Sequence, residues 1–187
     1  MRLGLLDFAL LDADQPPQNL TLEVSKEILK AGSCANPVFV FANYFLDSLA
    51  HDVFKFQANN ILKGKVDLFT PQTNYAAGKI KKNDELKVNI HYHEASRKPY
   101  ENSKVQNSLV QFYSNHLANG TALIPTTGFK VLDYIKSLSK KERVILFSSD
   151  KGYTSYESFK GSLDPHLAFH GSSSLMVNYH AFEYYFT

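Results

Sequence analysis

The chain has 187 residues, 44% of them hydrophobic and 13% aromatic, which suits one soluble domain with a sizeable core. Twenty basic residues against 18 acidic leave a formal charge of +2, too balanced to point to nucleic acid or an anionic membrane as partner. Cys34 is the single cysteine, so no internal disulfide can form and a reducing compartment fits, the cytoplasm by expectation.

No apolar run approaches the roughly 20 residues of a membrane span. The start, Met1-Arg2-Leu3-Gly4-Leu5-Leu6-Asp7, turns acidic too soon for a signal peptide. Leu3 to Leu11 reads as a strand, followed by an acidic, proline-paired loop at residues 12–17. Leu20-Thr21-Leu22-Glu23-Val24 alternates as a short strand. Residues 25–30 suit a short helix capped by Ser25 and stopped by Gly32. Val38 to Ala42 are five apolar residues in a row, the pattern of a parallel strand buried on both faces. A helix is expected from Asn43 to about His51, which would put Asn43 and Asp47 on one face.

Residues 52–57 alternate as a strand with one wet face. Residues 58–84, with Asn59, Asn60, Gly64 and Pro71, read as an irregular insertion. Residues 86–93 form a period-two strand, and residues 102–117 a helix with Val105, Leu109, Phe112 and Tyr113 on one stripe. Leu123-Ile124-Pro125 is a connection, and residues 127–138 are a helix. Residues 143–152 repeat the earlier logic: a buried strand ending in Ser149-Asp150-Lys151-Gly152. The expected fold class is α/β with a parallel sheet. The apolar start at Leu3–Leu11 and the aromatic-rich end at residues 176–187 lead to the expectation that residues 1–187 are one domain, the C-terminal portion of a larger one.

A polar residue at the carboxyl end of a parallel strand is where open α/β sheets bind ligands. Asn43 and Asp47 therefore read either as ligand contacts or as a helix cap with a first-turn acid. Asp150 reads as a ligand contact or as part of a turn with Gly152 at positive φ. The stretch from His170 through Gly171 and three serines to Asn178 and His180 reads as a small-residue loop over a ligand. Its bland alternative is a serine turn entering a strand that carries Asn178 and His180 on one face. Among the seven histidines, His91 and His93 share a strand face, but no spacing matches a zinc signature. The serines lack Gly-x-Ser-x-Gly, and neither a Gly-x-Gly-x-x-Gly nor a Walker loop occurs.

Three stretches, Ala42-Asn43-Tyr44-Phe45-Leu46-Asp47, Asp150-Lys151-Gly152-Tyr153 and His170-Gly171 with Val177-Asn178-Tyr179-His180, in this order resemble the MidA-type S-adenosylmethionine-dependent methyltransferases. The resemblance covers roughly residues 37–182 and implies a partial Rossmann-like methyltransferase sheet. It implies a protein or other macromolecular acceptor, and Asn43 and Asp47 in catalytic roles, with Asn43 also facing the cofactor. Tyr44, Asp150, His170, Asn178 and His180 would line the acceptor side. The family's glutamate after the asparagine is Tyr44 here, and Lys151 replaces a tyrosine. The family's glycine-rich loop is not in this sequence, so S-adenosylmethionine is expected to bind the full-length protein and this chain alone weakly or not at all. The alternative is a catalytically inactive partner-binding module with a methyltransferase fold. Mitochondrial relatives leave that compartment open as well.

Overall fold

A computed structural model describes residues 5–58, 60–69, 87–169 and 173–187. Among them the chain is mixed α/β, with three α-helices and several small sheets. In chain order the elements are β1 (Leu20–Thr21), β2 (Ile28–Leu29), β3 (Val38–Asn43), β4 (Asp52–Gln57), β5 (Asn60–Phe69), β6 (Lys87–Glu94), α1 (Lys104–His116), β7 (Asn119–Ile124), α2 (Thr126–Leu138), β8 (Val144–Ser149), β9 (Gly152–Tyr153), β10 (Ala168–Phe169), β11 (Ser173–Ser174), β12 (Val177–Asn178) and α3 (Tyr179–Phe186). None of the described helices is long and apolar enough to cross a membrane. The chain forms two compact units.

The first unit takes residues 1–46 and 127–149. Its centre is the parallel pair β3–β8, in register from Val38 opposite Val144 to Asn43 opposite Ser149. α2 precedes β8 as expected and buries Phe129, Val131, Leu132 and Leu138. The loop at Asp14 is pinned to this helix: Thr127 Oγ1 donates to Asp14 Oδ1 at 2.9 Å, and Lys130 Nζ donates to the Asp14 carbonyl.

Three expectations fail in this unit. Residues 5–11 form no strand, although the Phe8 carbonyl accepts the Glu23 amide. The helix at residues 25–30 is instead the second arm of the β1–β2 hairpin. Lys26 at φ 62° turns the chain, and the Asp7 carboxylate takes up the Val24 and Ser25 amides at 2.8 and 2.9 Å. That capture lets extended backbone outcompete a six-residue helix, which is marginal by itself. Finally, β3 and β8 are not buried on both faces. Phe39, Phe41, Ile145 and Phe147 stay exposed on one face, with the Phe41 and Phe147 rings stacked at 5.0 Å.

The second unit takes residues 47–126 and 150–187. It holds a four-stranded antiparallel sheet in the order β6-β5-β4-β7. β4 forms as expected, but Val53 is buried as well as Phe54 and Phe56, so both faces are covered. The irregular insertion carries the ten-residue strand β5; residues 59 and 70–84 of it lie outside the described residues. Gly64 belongs in that strand for a packing reason. A Cβ there would run into Val53 Cγ1 and come within 2.7 Å of Ile90 Cγ2. Of the connection expected at residues 123–125, Leu123 and Ile124 are instead the buried end of β7. α1 forms as read, capped by Ser103 accepting the Gln106 amide, and buries Leu109, Val110 and Tyr113.

The loops are tied to the sheet by carboxylates. Asp52 Oδ2 accepts Lys63 Nζ at 2.7 Å and Tyr100 Oη at 2.8 Å. Asp164 Oδ1 accepts Tyr92 Oη at 2.8 Å and Lys55 Nζ at 3.3 Å. Each tyrosine hydroxyl is pushed well above its ordinary pKa, first by burial and then by its aspartate.

Candidate functional site

The residues singled out in the sequence divide between the units. Asn43 and Tyr44 belong to the first; Asp47, Asp150, Asn178 and His180 belong to the second. His170 lies outside the described residues. In the first unit Asn43 ends β3 level with Ser149 at the end of β8. Parallel pairing thus puts both polar termini at one rim, the edge where α/β sheets carry ligands. The expected helix after Asn43 does not form. Tyr44 sits at φ 52° and is 86% exposed, and only a 3₁₀ turn at Leu46–Ser48 follows. Asn43 is therefore not a helix cap, and it does not share a helical face with Asp47.

In the second unit the return of the chain at residues 175–179 gathers a polar corner. The Leu175 amide donates to the Asp47 carbonyl at 2.9 Å, and the Val177 amide to the Lys151 carbonyl at 2.8 Å. β12 pairs in parallel with β9, and the Asp150 amide donates to Tyr179 Oη at 2.8 Å. Asp47 and Asp150 are close enough to feel each other. Burial, then the charge of Asp150, pushes the Asp47 carboxyl above the ordinary range. A carboxyl raised in this way holds a proton more readily than an ordinary one. Gly152 does not adopt the positive φ of a turn. Its missing side chain makes room for the Val177 carbonyl and the Tyr179 ring.

Asn178 and His180 meet, though not as strand neighbours. α3 starts at Tyr179, and Asn178 caps it, Oδ1 accepting the Ala181 amide at 3.0 Å. Asn178 Nδ2 donates to the Leu123 carbonyl at 2.7 Å and to Tyr113 Oη at 2.9 Å. His180 Nδ1 lies 2.9 Å from the same hydroxyl. A consistent assignment has Tyr113 donating to Nδ1 of a neutral imidazole. The ring sits among Phe112, Tyr113, Tyr156 and Tyr184. Asn178 is only 1% exposed and its donors are spent inside the protein, so it anchors α3 to α1 and β7. Tyr113, the hub, reads in the sequence as a core stripe residue. The signal for its second role is that a buried tyrosine hydroxyl needs a partner.

Burial lowers the His180 pKa, against a smaller opposing pull from Glu183. A histidine depressed in the folded state gives stability that is complete above its unfolded pKa of about 6.5 and is lost as pH falls below that value. Urea unfolding of wild type is therefore expected to weaken between pH 7 and pH 5 by more than that of His180→Gln. Equal losses would show that the imidazole is not held neutral by its surroundings.

His91 pairs with Asp67 at 3.4 Å on the exposed sheet. Among the described residues no three His, Cys, Asp or Glu side chains are grouped to hold a metal ion. No protein-family model matches the chain, and no curated protein matches it.

Proposed function

We propose that this chain forms the acceptor side of an S-adenosylmethionine-dependent methyltransferase acting on a protein or another macromolecule. The observation that carries the reading is the register of β3 and β8, which levels Asn43 with Ser149 at the carboxyl rim of a parallel pair. A Rossmann-like sheet, which such an enzyme would require, is built from parallel pairs of this kind, and that supports the reading. The order of the three motifs named above adds the family resemblance.

The residues present fit the acceptor better than the cofactor. The exposed Asn43 carboxamide offers both a donor and an acceptor at the strand end. Ser149, level with it on β8, adds a hydroxyl that can also donate or accept at the same rim. The nine glycines contain no Gly-x-Gly, so a phosphate-style or nucleoside-cradling glycine loop would have to come from residues other than these. The work left to this rim is to orient the acceptor.

The test is calorimetric titration of the full-length protein with S-adenosylmethionine, followed by turnover of Asn43→Ala. Saturable heat is expected, with activity reduced by about 10²-fold or more and thermal stability unchanged, because Asn43 is exposed. Unaltered methylation by the variant would remove Asn43 from the reaction. Absence of heat would favour a second reading, a partner-binding module without catalysis. Tyr44 in the family's acidic position and the uncovered Phe39, Phe41, Ile145 and Phe147 are the observations on its side.

A further inference from the structure

The second unit contains a cavity of about 220 Å³ walled by Leu123, Tyr153, Phe159 and Met176, with Asp164 and His166 at its polar part. Leu123, in β7, and Phe159, at the end of a 3₁₀ turn, are buried core residues, so their side chains are held by the core. Met176 lies between Leu175 and Val177, whose amides are held by the Asp47 and Lys151 carbonyls, so its backbone is fixed as well. Asp164 Oδ1 is engaged by Tyr92 and Lys55. Neither Asp164 Oδ2 nor the His166 ring has a hydrogen-bond partner among the described residues.

Size and chemistry both restrict what fits. A dry cavity of about 150 Å³ takes up benzene, so this one admits a single substituted ring. Aromatic and thioether walls favour a ring through edge contacts and sulfur–aromatic contacts. The Lys55–Asp164 pair leaves the polar end near neutral overall, with one carboxylate oxygen still able to accept. A neutral hydrogen-bond donor matches that oxygen, and a charge-assisted bond to a carboxylate is stronger than a neutral one. We propose that this cavity binds a phenol-type ring, its hydroxyl donating to Asp164 Oδ2 and its face against Tyr153, Phe159 and Met176. The proposal stands apart from the methyl-transfer reading and does not depend on it. The ring has two sources, a free small molecule or the tyrosine side chain of a partner protein.

The experiment is methyl NMR of the full chain titrated with p-cresol, toluene and the peptide Gly-Gly-Tyr-Gly-Gly. Saturable shifts at the Leu123 and Met176 methyls are expected, with p-cresol binding about tenfold tighter than toluene. In Asp164→Asn, which keeps an oxygen for Tyr92, that preference is expected to shrink to about twofold. Tighter binding of the peptide than of p-cresol identifies a protein tyrosine as the source; binding of p-cresol alone identifies a small molecule. No saturation up to about 10 mM, a range that spans the weakest useful affinities, overturns the proposal. So do equal affinities for p-cresol and toluene, a preference unaltered in Asp164→Asn, or shifts confined to other methyls.

Discussion

Replacing Asn178 by alanine is expected to lower the unfolding free energy by about 3 kcal/mol. Loss of a cap costs about 1 kcal/mol. The larger part comes from the partners left behind: the Leu123 carbonyl and the Tyr113 hydroxyl would lose the Nδ2 donor inside the core. Each buried group left unsatisfied costs about 1–3 kcal/mol. The two costs overlap, since the Tyr113 hydroxyl keeps His180 Nδ1 as an alternative partner. Urea unfolding at neutral pH measures the sum. A loss below about 1 kcal/mol, the size of a cap alone, would mean that water or a shifted side chain replaces the amide. The same substitution also separates two readings of this residue. An anchoring role predicts that stability falls first; a ligand-contact role predicts that binding falls in a protein that stays folded.

Gly152→Ala is expected to be nearly as damaging, at about 3 kcal/mol, the upper range for forcing atoms into a packed place. The new methyl would run into the Val177 carbonyl oxygen and lie 2.7 and 2.8 Å from two ring carbons of Tyr179. Relief requires β12 to move away from β9. That movement would break the Val177 amide bond to Lys151 and disturb the Asp150–Tyr179 contact. Gly161→Ala is the control. It has open space around its Cβ but a φ of +68°, so only the backbone penalty of about 1 kcal/mol applies. Thermal melts of the two variants should differ clearly. Equal melts would show that the β9–β12 contact yields at little cost.

Both substitutions fall where the sequence reads as a site, and the structure explains the reading. Asn178, Asp150 and Gly152 are unusual residues for the middle of an apolar pattern, and each is there because chains approach closely. The pattern alone cannot separate a polar group that meets a ligand from one that meets another strand. Asn43 differs: it is exposed, at the end of a parallel pair, with no cap to serve. Asp47 differs from it again, because burial and Asp150 shift its carboxyl.

The failures share one cause. A six-residue helix at residues 25–30 loses to a hairpin because Asp7, 17 and 18 residues away, holds the amides of the turn. Gly64 reads as a breaker because a window of sequence does not contain Val53 and Ile90. The helix expected after Asn43 gives way because Tyr44 takes a left-handed conformation and β4 begins at Asp52.

By itself the sequence determined the elements whose signal is local: the helices α1 and α2, the strands β3, β4, β6 and β8, and the mixed α/β class. In these, apolar spacing at period 3.6 or 2, or in β3 and β8 an unbroken apolar run between polar flanks, is enough to choose the backbone. Tertiary structure decided the rest: the hairpin at β1–β2, the strand β5, and the anchoring of Asn178 to Tyr113 and Leu123. Each depends on a hydrogen bond or a contact between residues distant along the chain, and such partners carry no periodic trace in the sequence around either one.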